Sequence, residues 1–206
     1  MAIDAEKKPR GGDRVARSAV VDALLTALER VIETEGALPS VRALASRAGV
    51  AIGSIYYYFR EREDLVSLLI QREEQRLSER LLEVLATTPI TTPMADMNAI
   101  VSSLEQWRSE RGWIARLPMR FLTDHSWVAT IFRSAVKAGS VPLAEICRRH
   151  HIRPMTPAEN LHLVGSVVGN LLAWALEMDG ADDLQVLVKL VGAYLDALPR
   201  SETLSE

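Results

Sequence analysis

The sequence is poor in the residues that stabilise exported proteins and β-sheets. Its 206 residues include a single cysteine, Cys147, so no disulfide can form within the chain. A lone thiol is typical of a reducing compartment, and we expect a cytoplasmic protein. Aromatic residues make up only 5% of the chain. The abundance of Leu, Ala, Glu and Arg instead favours helices over strands.

Long apolar runs and an excess of positive charge are absent too. The longest apolar stretch, residues 163–176, is interrupted by Ser166 and Asn170 and is too short to cross a bilayer. No apolar segment resembling a signal peptide follows the basic residues at positions 7–10. The net charge is −3, which excludes a uniformly basic nucleic-acid binder. We therefore expect no membrane partner, and any nucleic-acid contact must be local.

The sequence does contain a succession of amphipathic helices. Hydrophobic residues make up 48% of the chain, enough for a sizeable core, and they recur at helical spacing with no persistent alternation. We therefore predict an all-α fold. Its predicted parts are a disordered basic arm (1–13), a three-helix helix-turn-helix domain (14–62), a larger helical domain (63–198) and a flexible tail (199–206). After a long helix over 63–86 and a proline-rich connection, the predicted helical segments are 94–111, 113–125, 127–137, 142–151, 157–178 and 182–198.

Residues 40–59 form the most informative segment. Ser40 is placed to cap a short helix, and the Ala-Gly pair at 48–49 predicts a tight turn. A second helix from about residue 51 places Ile55 and Phe59 on one inward face. Two short helices joined by a glycine-containing turn are typical of the helix-turn-helix motif.

The second helix of this motif has an unusual outer surface. It is uncharged, begins with small residues and carries tyrosine hydroxyls, which can reach phosphates or base edges. A helical hairpin inside a bundle is the alternative on spacing alone, although three adjacent tyrosines cannot all face inward on a helix. The residues predicted on or near the outer face are Ile52, Gly53, Ser54, Tyr56, Tyr57 and Tyr58.

In this register, residues 14–69 resemble the DNA-binding domain of the tetracycline-repressor (TetR) family. The matching residues are Gly36, Ser40, Ala48, Gly49, Val50, Gly53, Ile55, Tyr56, Phe59, Arg62, Glu63 and Leu65. Ala51 departs from the Ser or Thr that the family usually has there, Tyr58 from a His and Arg62 from a Lys. The remaining two thirds of the chain are similar to the family in outline only, being helical with two long final helices.

The resemblance implies a DNA-binding transcriptional regulator, and we predict a repressor. It implies that Gly53, Ser54 and Tyr56 approach base edges in double-stranded operator DNA. The residues that it places on phosphates are Arg42, Tyr57 and Arg62, and Ser40 and Ile52 complete the predicted DNA-binding set.

Aromatic residues concentrate in the middle of the chain, where they could fill a core or line an apolar cavity. The resemblance favours a cavity, because regulators of this family commonly bind a small effector there. We predict an apolar or aromatic effector that releases the repressor, with no metal or other cofactor. The predicted effector-binding residues are Trp107, Trp113, Phe121, His125 and Trp127.

Small residues spaced four apart near the C-terminus suggest close helix packing between two copies of the chain. With apolar neighbours on the final helix they predict a homodimer joined by a four-helix bundle, which would read a palindromic operator. The predicted interface residues are Gly165, Gly169, Ala173, Leu176, Leu187 and Val191.

An enzyme is the alternative from a different class. Cys147 and His151 lie four apart and could share a helix face. Zinc sites need three or four ligands, however, and a nucleophile needs an oriented base. We expect Cys147 in the core, His150 with His151 at a solvated helix end, and no enzymatic activity. The other alternative is a helical ligand-binding or interaction protein without a DNA role, which an acidic or apolar Tyr56 face would have favoured.

Overall fold

The computed structural model describes residues 11–59, 61–111, 125–175 and 184–200. Within these ranges the chain forms eight α-helices, and the β-pairing is limited to one isolated bridge between Ile152 and Arg200. The all-α prediction is confirmed. The helices are α1 (Gly11–Glu35), α2 (Val41–Ala48), α3 (Ile52–Tyr58), α4 (Arg62–Thr87), α5 (Pro93–Glu110), α6 (His125–Arg149), α7 (Pro157–Ala175) and α8 (Leu184–Ala197).

The chain divides into two compact units, Met1–Leu69 and Ile70–Glu206, and the division falls within α4. Helix α1 begins at Gly11 instead of Arg14. The rest of the predicted arm, residues 1–10, lies outside the described residues. No helix in the described ranges combines the length and the hydropathy that a transmembrane segment needs.

The first unit, which we call the N-terminal unit, is organised mainly by residues that lie close together in the sequence. Gly36 ends α1 with φ +64°, a conformation that glycine adopts without strain. Helix α1 packs on α2, and α2 on α3. Among the side chains that the structure describes in this unit, those that are buried are all apolar: Leu24, Leu25, Ala27, Leu28, Val31, Ile32, Leu44, Ala45, Ile55, Phe59, Leu65, Val66 and Leu69.

The second unit, which we call the C-terminal unit, packs α5 against α8 and α6 against α7, with further contacts between α7 and α8. Its core contains fully buried Leu85, Ile146 and Leu195. Part of the predicted flexible tail is held, because Arg153 N–H donates to Pro199 C=O over 3.2 Å. Residues 201–206 lie outside the described residues.

Helix α6 corrects one prediction. We expected separate helices over 127–137 and 142–151, yet one helix runs through Pro142. Proline has no N–H to donate to the carbonyl four residues earlier, which is that of Ala138. Ser78 Oγ on α4 donates to the Ala138 carbonyl instead, over 3.2 Å. The helix can therefore continue because a side chain from another helix satisfies the carbonyl that proline leaves free.

The end of α6 corrects a second prediction. His150 is not solvated: its side chain is 7% exposed, and Nε2 lies 2.9 Å from Oδ2 of fully buried Asp96 on α5. Arg149 lies 3.5 Å from the same oxygen and donates to the carbonyls of Leu85 and Thr88 at the end of α4. This Asp96 cluster ties together the ends of three helices.

Candidate nucleic-acid interface

The helix-turn-helix is held in place by the caps of α2 and by the buried side chains of Ile55 and Phe59. Ser40 Oγ accepts the Ala43 N–H over 3.2 Å, as expected of an N-cap. Gly49 takes φ +67°, and the N–H groups of Gly49 and Val50 donate to carbonyls in the last turn of α2. Ile55 is then 2% exposed. The turn that the sequence predicts is therefore present, and Ile55 anchors α3 in the core of the N-terminal unit.

The opposite side of α3 is exposed and aromatic. Tyr57 is 81% exposed, Tyr56 62% and Ile52 40%. The Tyr57 and Tyr58 rings meet edge to face, with centroids 4.9 Å apart. Large side chains this exposed contribute little to the fold of the N-terminal unit. A surface made of their rings and hydroxyls can instead contact phosphates and base edges.

Gly53 lies among these exposed residues without a structural reason to be glycine. A Cβ built on it would have no heavy atom within 4 Å, and its φ lies outside the left-handed range. Glycine in a helix costs about 0.5–1 kcal/mol relative to alanine. A residue that costs stability and relieves no crowding within the chain is consistent with close approach by another molecule.

The other predicted DNA-binding residues differ in what the structure says of them. Arg42 and Ser40 are exposed at the start of α2, and Ser54 is half-buried on α3. Arg62 begins α4, but its side chain lies outside the described part of the structure. Ala51, the residue before α3, provides no side-chain cap for that helix.

Of the predicted effector-binding residues, the structure describes the Trp107 side chain alone. Trp107 is half-buried on α5, and its Nε1 atom is buried with no hydrogen-bond partner. Trp113 and Phe121 lie outside the described residues. His125 and Trp127 belong to α6, although their side chains are not described.

Two neighbouring acids on α4 went unnoticed in the sequence. Glu73 is 2% exposed and accepts from Arg76 and from Arg111, the latter over 3.1 Å. Glu74 accepts a hydrogen bond from Ser134 on α6, while its Oε1 is buried without a partner. Burial raises the pKa of Glu74 from its ordinary 4.5 to about 7, and the Ser134 bond opposes part of that rise. No local pattern marked these residues, because their burial depends on α5 and α6.

The predicted interface residues have different surroundings within the chain. A Cβ on Gly165 would lie 3.2 Å from Phe132 of α6, whereas one on Gly169 would meet nothing within 4 Å. Val191 is 4% exposed in the core of the C-terminal unit, and Leu187 packs against that core. The Ala173 side chain and Leu176 lie outside the described part of the chain. Among the described side chains of α7 and α8, the exposed large apolar residues are Leu161, Val186 and Leu190.

The thiol and imidazole that suggested an enzyme do not form a reactive pair. Cys147 is 4% exposed, as expected of a core residue, and burial raises the pKa of its thiol. His151 lies at an exposed position with φ +53°, just past the end of α6. A buried thiol with a raised pKa is a poor nucleophile, because the thiolate is the reactive form.

Comparison with known proteins gives one family. The family described as bacterial regulatory proteins, tetR family, matches residues 24–69. Over 182 residues the chain is 28% identical to the HTH-type transcriptional repressor KstR of Mycolicibacterium smegmatis, covering 83% of this chain and 82% of that protein.

Two solved structures have the same fold. A transcriptional regulator from Rhodococcus sp. RHA1 has a TM-score of 0.56 at 19% identity, covering 87% of this chain and 99% of that one. The regulator FadR from Bacillus subtilis, in complex with stearoyl-CoA, has a TM-score of 0.51 at 17% identity, covering 85% and 97%.

The family match and the geometry coincide in the chain. Residues 24–69 contain the whole of α2 and α3, the capped turn between them and the exposed tyrosines. The chain is thus similar to helix-turn-helix transcriptional regulators, and residues 24–69 match the tetR family of bacterial regulatory proteins.

Proposed function

We propose that this protein is a repressor that binds a palindromic operator as a homodimer and is released by a small apolar or aromatic effector. The exposed side of α3 carries the proposal, since Tyr56, Tyr57 and Gly53 have no role in the core that would explain them. Operator DNA lies in the bacterial cytoplasm, and we place the protein there. The KstR relative, named as a repressor, supports the direction of regulation.

Binding titrations test the DNA contact. Operator fragments would be selected from a random-sequence duplex pool by the full chain, and affinity measured against operator and unrelated DNA at several salt concentrations. Tyr56→Ala should weaken operator binding by about 1–3 kcal/mol, with little change on unrelated DNA, if Tyr56 reads a base edge. Equal losses on both DNAs would remove Tyr56 from the base-reading set.

Phosphate contacts predict a different pattern. Arg42→Ala and Arg62→Ala should weaken binding to both DNAs alike and flatten the salt dependence. Arg47 is a matched control on α2, because its guanidinium already pairs with Glu35 over 2.6 Å. Arg47→Ala should therefore leave the salt dependence closer to that of the native chain.

The second copy of the chain is proposed to pack on the last two helices. Leu161 on α7 is 49% exposed, and Val186 and Leu190 on α8 are 47% and 63% exposed. Open space beside Gly169 would let a neighbouring backbone approach α7 closely. These exposed residues fit the interface better than Gly165 and Val191, which pack within the chain.

Sedimentation tests this interface. Gly169→Leu and Leu190→Glu should each give monomers that no longer bind the palindromic operator. Ile90→Glu is the matched control, since Ile90 is 64% exposed but lies in the connection between α4 and α5. If Leu190→Glu and Gly169→Leu both stay dimeric, the interface lies elsewhere.

The effector site is proposed to lie in the C-terminal unit around Trp107. Its indole Nε1 and the Oε1 of Glu74 are buried polar atoms without partners, and so is Oδ1 of Asn170. Buried polar groups in proteins are nearly always hydrogen-bonded, so these three atoms could orient polar groups of a mostly apolar ligand. The fold can hold such a ligand, since the Bacillus subtilis FadR structure contains stearoyl-CoA.

A compound screen tests the proposed release. All four tryptophans belong to the C-terminal unit, so an effector should change tryptophan fluorescence and weaken operator binding at the same concentration. Trp107→Phe keeps an aromatic ring but removes the N–H donor. It should weaken effector binding more than it weakens operator binding. If no apolar or aromatic compound changes both signals, the effector part of the proposal fails.

A further inference from the structure

The outer face of α3 lacks the side chains that most often identify bases. From Ile52 to Tyr58 the helix contains no Arg, Lys, Asn, Gln, Asp or Glu. In the major groove, Arg or Lys reads guanine, Asn or Gln reads adenine, and Glu or Asp accepts from cytosine. Apart from what Ser54 and the tyrosine hydroxyls can hydrogen-bond, this leaves the 5-methyl group of thymine, which apolar side chains contact.

Ile52 is placed to make such a contact. It is an apolar side chain left 40% exposed beside the core residue Ile55. Tyr56 lies one helical turn further on, so its ring is a neighbour of Ile52 on the helix surface. Gly53 presents no side chain between them, which allows the helix backbone to lie close to the base pairs.

We propose that α3 recognises thymine methyl groups in the major groove through Ile52, with the ring of Tyr56 beside it. The base pairs under α3 are then A·T, and the operator half-site is specified by methyl groups more than by bidentate hydrogen bonds. This inference rests on the proposed contact between α3 and operator DNA.

Replacing thymine by uracil tests the inference, because uracil lacks only the methyl group. Using an operator selected from a random duplex pool by the full chain, each thymine of one half-site would be changed to uracil in turn. Burying one methyl group is worth about a fourfold change in affinity, so one or two positions should lose about that much.

The variant Ile52→Ala completes a double-substitution cycle. It should bind the thymine operator about as weakly as the native chain binds the uracil operator, and lose little further affinity with uracil. Alanine is a better helix former than isoleucine, so the fold of α3 should survive. Ile90→Ala removes an isoleucine that is 64% exposed in the C-terminal unit and should keep the full difference between thymine and uracil.

The outcomes separate this inference from the proposed function. If no sequence is enriched from the pool, both fall. If an operator is enriched but uracil at every position leaves affinity unchanged within about twofold, the methyl contact is wrong while DNA binding stands. If replacing thymine by uracil lowers operator affinity equally for the native chain and for Ile52→Ala, another residue makes the contact and the assignment to Ile52 is overturned.

Discussion

The two units of this protein place their polar side chains in opposite ways. In the described residues of the N-terminal unit every buried side chain is apolar, and Tyr56 and Tyr57 of α3 are exposed. The C-terminal unit instead buries the carboxylates of Glu73 and Asp96 among arginines from other helices. Surface residues of the N-terminal unit can therefore be replaced without loss of stability, whereas the C-terminal unit depends on polar pairs inside its core. Each prediction below tests one side of that contrast.

The largest expected effect is at Asp96. Asp96→Ala removes the acceptor beside Arg149 and His150, whose side chains are 6% and 7% exposed. Breaking a buried pair on one side costs about 3–5 kcal/mol, because the partner charge stays buried. Urea unfolding followed by tryptophan fluorescence would report the C-terminal unit, which contains every tryptophan.

Asp196→Ala is the matched control for Asp96. Asp196 lies 4.0 Å from Arg200, and both side chains are about half exposed, so its loss should cost under about 1 kcal/mol. Asp96→Asn, which keeps an oxygen acceptor, should fall between the two. Equal stability of Asp96→Ala and Asp196→Ala would show that the buried cluster does not hold the helix ends together.

The same contrast explains what the sequence could and could not predict. The Ser40 cap, the Gly49 turn and buried Ile55 are set by residues within one or two turns of each other, and each prediction was confirmed. The His150–Asp96 contact joins residues 54 positions apart, and nothing near His150 distinguishes it from a solvated histidine.

The continuation of α6 through Pro142 and the surroundings of the glycines on α7 could not be predicted from the sequence for a related reason. The helix passes through Pro142 with the help of Ser78, which is far away in the sequence. The row of small residues on α7 was visible, but the sequence could not tell that Gly165 faces Phe132 while Gly169 faces open space. Periodicity gives the spacing of residues along a face, whereas the partner of that face depends on tertiary packing.

The second prediction concerns Gly139 on α6. A Cβ there would lie 2.6 Å from Cγ1 of Val164, a β-branched side chain with little freedom to move away. Gly139→Ala should destabilise the C-terminal unit by about 1–3 kcal/mol through overpacking. Val164→Ala removes the Cγ1 atom of Val164, so adding Gly139→Ala to that variant should cost less stability than it costs the native chain. An equal cost in both backgrounds would contradict the close packing of α6 on α7.

The third prediction concerns the pH dependence that Glu74 gives the C-terminal unit. The pKa of Glu74 is raised to about 7 by burial, so the folded chain holds this proton more tightly than the unfolded chain does. The stability that protonated Glu74 contributes is fully present below about pH 4.5 and is lost as the pH rises through 7. Glu74→Gln should therefore remove a decline in stability between pH 5 and about pH 8.

Melting temperatures of the native chain and Glu74→Gln across that range check the sign. Glu145→Gln is the matched control, because the Arg148 hydrogen bond lowers the pKa of the Glu145 carboxyl. A lowered pKa affects stability only at acidic pH, so Glu145→Gln should not change the slope between pH 5 and 8. A native chain whose stability rises over this range relative to Glu74→Gln would refute the burial of a protonated carboxyl.

The smallest expected change in stability is at Gly53, where the contrast between the units is sharpest. Gly53→Ala meets no atom within 4 Å and replaces a weak helix former, so it should stabilise the N-terminal unit by about 0.5–1 kcal/mol. The same methyl group would stand between α3 and the groove, and losing one good base contact costs about tenfold or more in operator affinity. Thermal unfolding by circular dichroism and operator titrations should therefore move in opposite directions. Ile90→Ala, a change at an exposed position outside α3 and outside the proposed dimer interface, should leave operator affinity unchanged. A Gly53→Ala chain that binds its operator as tightly as the native one would mean that the open space beside this glycine is not where DNA approaches.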